Sequence, residues 1–454
     1  YIHGWYGHQL FQTFQNSTST PYYILLPFTM SLTLSLDNQK TCYSDNETIS
    51  GHVNLRCPAP SDIQDHIRVV FVGRAKCRIQ KAKRSAALSA TYRSKCILFE
   101  KERILSLHDC QAPSNGLFQW PFEFLFPSHV QPSTNSPRWP ETTPFYNDAG
   151  HPLPPTFTKK AEDDLRQLDC VIEYKIYAQG SKIQRGFLGR NSPFLSEPIR
   201  LSFMPASAKM TPLAKDSFPR AHSRREEQLF NIRSMHLLPG YEGRNLSVQE
   251  KFQSWLSPGK LPHFSFNVAF SYQTHVVQSR PLSCTLDVDP VIENSSIGYP
   301  PQILMQSIFV VVTGQTAARA TPSLVGVMSA EVDERIEIIS RPSVNIPVSG
   351  SMDLDTVVGP FIFRHTDISF RTLNISRTYR LSVSIVFLCA GKTTEFKLSD
   401  LPIVVMASQD PESKRGHENI SDDDSPPSYS PRSSLSTGIC EHTGRNELGE
   451  KQHR

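Results

Sequence analysis

From Ser31 onward, apolar and polar positions alternate with a period of two. "SLTLSLD" sets Leu32, Leu34 and Leu36 on one face and Ser and Thr on the other, as in a half-buried strand. The alternation returns in "ETISGHVNLRC" (Ile49, Val53, Leu55), "DHIRVVFVGRAKCRIQ" (Ile67, Val69, Phe71), "KCILFEKERIL", "GLFQWPFEFLFP", "DCVIEYKIYAQG" and "EPIRLSFMP". Pro, Gly, Asn and Ser punctuate these runs, and helical periodicity is almost absent. Many short strands separated by turn residues predict an antiparallel β-sandwich.

The pattern divides the chain. Residues 30–205 form a first β-rich domain. A polar, Pro-containing stretch at 206–224 reads as a linker, and alternation resumes over 225–408 in "HFSFNVAF", "QSIFVVVTG", "DERIEIIS" and "RTYRLSVSIVFLCAG". One helix is expected in "LSVQEKFQSWL", where Ser247 and Glu250 have the spacing of a capping box ahead of Phe252, Trp255 and Leu256. Residues 1–29 are expected to lie outside the fold, as an upstream extension. Residues 409–454 have too few apolar side chains to offset an ordering cost of ~1–2 kcal/mol per residue, which predicts a disordered tail.

Composition narrows the function classes. A net charge of +4 over 454 residues gives no strong electrostatic instruction and does not favour nucleic acid. The nine cysteines include no C-x-x-C pair and no zinc spacing, so no metal is expected. Most sit in apolar runs, as buried thiols in a reducing compartment do. Asn-x-Ser/Thr triplets at Asn46, Asn245, Asn294, Asn374 and Asn419 keep open a secreted β-sandwich binding protein, although no leader pattern is seen. No G-x-S-x-G elbow, phosphate loop, H-E-x-x-H or paired-carboxylate motif is present, so neither an enzyme nor a cofactor is indicated.

"SLDNQKTCYSDNETISGHVNLRC", "IRVVFVGRAKCRI", "GLFQWPFEFLFP", "LPPTF" and "CVIEYKIYA" resemble the arrestin N-terminal domain in its fungal form. "LLPG", "LSVQEKF" and "NISRTYRLSVSIVFLCAGKTTEFKLSDLPIVV" resemble the arrestin C-terminal domain. The tail element "SPPSY" is similar to that of the α-arrestins, the arrestin-related trafficking adaptors. The resemblance implies two tandem arrestin-type, immunoglobulin-like antiparallel sandwiches, all-β apart from one short helix, followed by the disordered tail. It also implies a cytoplasmic adaptor, recruited to plasma membrane and endosomes. Such an adaptor brings a WW-domain HECT-type ubiquitin ligase to the cytosolic tails of transporters or receptors for ubiquitylation and endocytosis. An arrestin-fold sorting scaffold that recruits no ligase is the alternative.

Two stretches carry candidate chemistry. Pro426 and Pro427 preset the backbone for a polyproline II helix on an aromatic groove, and Tyr429 adds a ring and a hydroxyl. Taken alone the element is equally readable as filler; behind an arrestin body it reads as a ligase dock. One short motif implies micromolar affinity, about −8 kcal/mol. Ser425 and Ser430 each precede Pro, and phosphorylation there would add negative charge beside the motif. Arg74, Lys76, Arg78, Lys81, Lys83 and Arg84, with Arg93 and Lys95 beyond them, form a basic stretch. It reads either as a contact for anionic lipid or cargo or as a solvated strand face and hairpin. "LPPTF" has Phe157 in place of Tyr and is read as structural.

Overall fold

The computed structural model describes residues 30–57, 66–81, 91–106, 117–132, 139, 141–163, 166–182, 192–210, 222–320, 327–364 and 367–408. The expected extension at 1–29 and tail at 409–454 lie outside these residues.

The first part of the chain forms β1 (Ser31–Leu36), β2 (Thr48–Arg56), β3 (His66–Lys81), β4 (Thr91–Ser106), β5 (Leu117–Leu125), β6 (Phe157–Glu162), β7 (Arg166–Lys182), β8 (Ser192–Leu195) and β9 (Ile199–Leu201). They build a sheet of order β1-β2-β5 and another of order β4-β3-β7-β6, with β8 and β9 also on β7. All of these pairings are antiparallel.

Strand β5 shows why the sequence folds this way. Phe118, Trp120, Phe122 and Phe124 all point inward, and the residues between them face out. Pro121 is tolerated in mid-strand because β5 is the edge of its sheet. Just past β5, fully buried Phe126 lies 4.4 Å from the ring of Phe203, 5.0 Å from Phe71 and 5.4 Å from Tyr174. Phe157 is buried and packs edge-on against Phe370 at 4.8 Å, so the "LPPTF" segment is a core element.

The rest of the described chain forms β10 (Lys209–Met210), β11 (Ser223–Arg233), α1 (Val248–Leu256), β12 (His263–Gln273), β13 (His275–Val277), β14 (Cys284–Val291), β15 (Ile303–Arg319), β16 (Ser329–Arg341), β17 (Ile346–Pro347), β18 (Gly350–Asp353), α2 (Leu354–Val358), β19 (Phe370–Arg371), β20 (Ile375–Cys389) and β21 (Lys392–Ser408). One sheet has the order β11-β12-β14-β18; the other runs β10-β21-β20-β15-β16. Phe264, Phe266 and Phe270 of β12 share a core with Leu381, Val383, Ile385 and Phe387 of β20.

Two local features depart from the alternation pattern. The segment expected to be a linker carries β10, which pairs in parallel with the end of β21, and β11 begins within it at Ser223. The short helix α2, which is too brief to show a period, is N-capped by the Asp353 side chain accepting from the Asp355 N–H. The expected helix is present as α1, and its capping box closes in both directions. Ser247 N–H donates to Glu250 Oε2 at 2.7 Å, and Glu250 N–H donates to Ser247 Oγ at 3.3 Å.

Phe126→Ala is expected to cost about 3–5 kcal/mol in urea unfolding, through the lost ring and the cavity it leaves. Leu229→Ala, at a site 56% exposed, is expected to stay within about 0.5 kcal/mol.

Candidate functional site: a basic face and the polar seam behind it

Strand β3 is central in its sheet, flanked by β4 and β7. Ala75, Cys77 and Ile79 are buried, so Arg74, Lys76 and Arg78 stand on the opposite face, half-buried. Register then sets like charges directly opposite one another, Lys76 against Lys95 and Arg78 against Arg93 of β4. Cross-strand pairs of one sign are destabilising. Lys95 records the tension: Arg74 above all, then partial burial, Lys76 and Lys175 lower its pKa below the ordinary lysine value.

Strand β7 relieves part of this charge. Arg78 Nη2 lies 3.3 Å from Asp169, and Lys76 pairs with Glu173, which Lys175 also approaches at 3.6 Å. Burial disfavours the charged form of Glu173, but the bonds and charges of Lys76 and Lys175 outweigh it and lower its pKa. Among the described residues, the six cations Arg74, Lys76, Arg78, Arg93, Lys95 and Lys175 have Asp169 and Glu173 as ion-pair partners, while Glu100 favours the charged form of Lys95. Lys76, Arg78, Arg93, Lys95 and Asp169 line an open groove of about 540 Å³. This arrangement suits an anion presented along a strand. Of the sequence-derived basic residues, the structure brings Arg74, Lys76 and Arg78 together with Arg93 and Lys95. Lys83 and Arg84 lie outside the described residues, as does the side chain of Lys81. So do Pro426, Pro427, Tyr429, Ser425 and Ser430.

Sequence reasoning missed what lies behind the groove. Two groove-lining residues, Cys77 and Ser94, reach the second sandwich: both bond the carbonyl oxygen of Arg319, at 3.3 and 3.0 Å. Asn374 Nδ2 donates to Ala75 O at 3.2 Å and to Ser94 Oγ at 2.8 Å. Asn374 therefore spends its amide inside the protein, and its triplet is not an accessible acceptor for a glycan. The guanidinium of Arg319 is fully buried. It donates to Leu373 O (2.6 Å), Thr142 Oγ1 (3.0 Å) and Tyr146 O (2.7 Å), and lies over the rings of Trp139 and Phe145 at 4.5 and 4.8 Å. Burial brings its pKa down to about 10, which leaves it charged at neutral pH.

A second cluster completes the seam. Lys159 of β6 meets Glu334 of β16 at 2.9 Å and Asp367 at 3.3 Å, and buried Arg377 of β20 meets Glu334 at 2.7 Å. Arg377 also donates to Thr316 Oγ1 at 2.8 Å and to the Tyr379 hydroxyl oxygen at 3.1 Å. Gly314 leaves the necessary room, since a Cβ there would sit 2.5 Å from Arg377 Nη2. Burial disfavours ionised Glu334, but bonds from Lys159 and Arg377 overcome it and pull its pKa to about 2. One clue was available in the sequence: Arg377 falls in phase with Tyr379, Leu381 and Val383 on the buried face of β20. A cation in an apolar phase calls for a partner.

Because the Glu334 pKa is depressed on folding, its stabilisation is present above the unfolded value of about 4.5 and fades as pH falls towards 2. Glu334→Gln is expected to cost about 2 kcal/mol at pH 7. This is less than the roughly 3–5 kcal/mol of fully buried pairs, because Glu334 is 36% exposed. In urea unfolding, the gap between wild type and variant should narrow between pH 4.5 and pH 2. Lys95→Glu is expected to act in the opposite direction. Relieving the like-charge register should raise stability by about 0.5 kcal/mol in the same assay, while weakening any anion held in the groove.

Residues 32–139 match the family model for the arrestin (or S-antigen) N-terminal domain. The matched span runs from β1 through β5 and contains the strands that carry Arg74, Lys76, Arg78, Arg93 and Lys95. A search of curated proteins returned no match. No group of three or more metal-ligating side chains occurs among the described residues. The family match, lying on a sandwich of antiparallel sheets in an all-β chain, makes this an arrestin-like protein.

Proposed function

We propose that the protein is a non-enzymatic trafficking adaptor of the α-arrestin type. Its body engages cargo, and its tail docks a WW-domain HECT-type ubiquitin ligase. The observation that carries this reading is the pairing of an arrestin-like body with a Pro426-Pro427-Ser428-Tyr429 element beyond its last strand. The two prolines leave little backbone entropy to lose, and the aromatic hydroxyl suits a second pocket in the WW groove. The basic groove is assigned to the cargo side, where it would take an acidic or phosphorylated cytosolic tail of a plasma-membrane transporter or receptor. Ser425 and Ser430 are positioned to tune the dock by phosphorylation. On this reading the protein works in the cytoplasm, at the plasma membrane and on endosomes. No cofactor is called for.

Affinity capture separates the two halves of the reading. Tyr429→Ala is expected to lose the ligase at least tenfold while transporters are retained and the melting temperature is unchanged. Unchanged ligase capture would leave the arrestin-fold sorting scaffold as the better reading. Thiol counting addresses the secreted alternative. Cys77, Cys96, Cys170, Cys284 and Cys389 are free and buried, and burial raises each thiol pKa, that of Cys77 to about 11. These five are expected to resist thiol reagents in the native protein and to react in denaturant without any reductant.

A further inference from the structure

Helix α1 is amphipathic, but its apolar side faces outward. At 100° per residue, Val248, Phe252, Trp255 and Leu256 fall within an arc of about 100°. They are 85%, 58%, 75% and 57% exposed. The less exposed positions, Glu250 and Ser254, lie on the opposite side, so the polar edge is the more covered one and the apolar arc points into solvent. The helix does not need that arc for its own folding. Its start is held by the Ser247–Glu250 capping box, and Arg244 pairs with Glu250 from outside the helix. Two aromatic and two aliphatic side chains are thus kept in water on a preformed helix.

Charge and area decide what covers them. Between Arg233 and His263 the chain carries the cations Arg233, Arg244, Lys251 and Lys260 against the carboxylates Glu242 and Glu250. Glu250 is already engaged by Arg244, and Lys251 lies about 40° from Trp255 on the helical wheel, which puts a cationic rim on that side of the apolar arc. Four side chains offer on the order of a few hundred Å², well short of the ~800 Å² per partner of a stable protein interface, so a second copy is a poor fit. A short apolar arc with a Trp and a cationic rim matches the headgroup layer of an anionic bilayer. No helix among the described residues is long and apolar enough to cross a membrane, so the contact would be interfacial. We propose that α1 is a lipid-surface anchor that inserts Val248, Phe252, Trp255 and Leu256 into the headgroup–acyl boundary of an anionic membrane. The proposal is independent of ligase docking and concerns a different surface from the basic groove.

The test uses the full chain and vesicles of 70% phosphatidylcholine and 30% phosphatidylserine. Cosedimentation is expected to weaken at least tenfold in Phe252→Ser/Trp255→Ser, and severalfold in Lys251→Gln/Lys260→Gln. Both variants are expected to keep the wild-type melting temperature, because the substituted side chains are largely exposed. Lipid brominated in the acyl chain should quench the emission component that Trp255→Phe removes. Three results would each overturn the proposal: no vesicle binding by the wild type, equal binding by the aromatic variant, or binding without quenching of Trp255. It would equally be overturned if the aromatic variant changed only the sedimentation coefficient in the absence of vesicles, which would assign α1 to a contact between copies.

Discussion

The Glu334 carboxylate, held between Lys159 and Arg377, is the contact on which much of the rest depends. Lys159 comes from β6 of the first sandwich, while Glu334 and Arg377 come from β16 and β20 of the second. A buried guanidinium is tolerable only with partners in place. Arg377 has them, and the space it fills exists because position 314 is glycine. Around this ionic cluster the seam continues through Arg319 and Asn374. The second sandwich also contributes Ala318, Val332, Leu373 and Ile375 to the hydrophobic core of the first. The two sheet systems therefore meet through a mixed apolar and polar contact that removal of one charge would leave unbalanced.

That seam also explains how the basic face keeps its shape. Cys77 and Ser94 belong to the strands that carry Lys76, Arg78, Arg93 and Lys95, and both are tied through the Arg319 carbonyl to the far sandwich. Lysines and arginines facing one another across β3 and β4 would be relieved by splaying or by exchange for neutral residues. The register instead holds them together, and among the described residues Asp169 and Glu173 pair with them at close range. The register thus sets a like-charge conflict, with its local cost in stability, inside a well-packed sheet.

Much of the architecture was legible in the sequence, because a strand with one buried face writes a period of two. β5 is the plainest case, with four aromatics in phase, and the Ser247–Glu250 spacing located α1 to within a residue or two. The basic strand was legible as composition, although the neutralising role of Asp169 and Glu173 needed the pairing of β3 with β7. The seam was not legible. Ser94, Arg319 and Asn374 are far apart in the chain, and each looks like an ordinary polar residue near a strand end. Only the phase of Arg377 hinted at burial. Nor did the helical pattern of α1 reveal its orientation; periodicity identifies an apolar arc, and the structure shows that it points outward.

The described residues present a basic face and an exposed apolar helix, and the Pro426-Pro427-Ser428-Tyr429 element follows them in the sequence. If the element acts as a self-contained dock, its affinity should owe nothing to the body. Calorimetry of an isolated WW domain from a HECT-type ligase tests this directly, using the full chain and a peptide spanning Ser421–Ser434. The account predicts micromolar dissociation constants for both, equal within about twofold. Failure of either to bind, or a full-chain affinity that differs from the peptide's by tenfold or more, would contradict it.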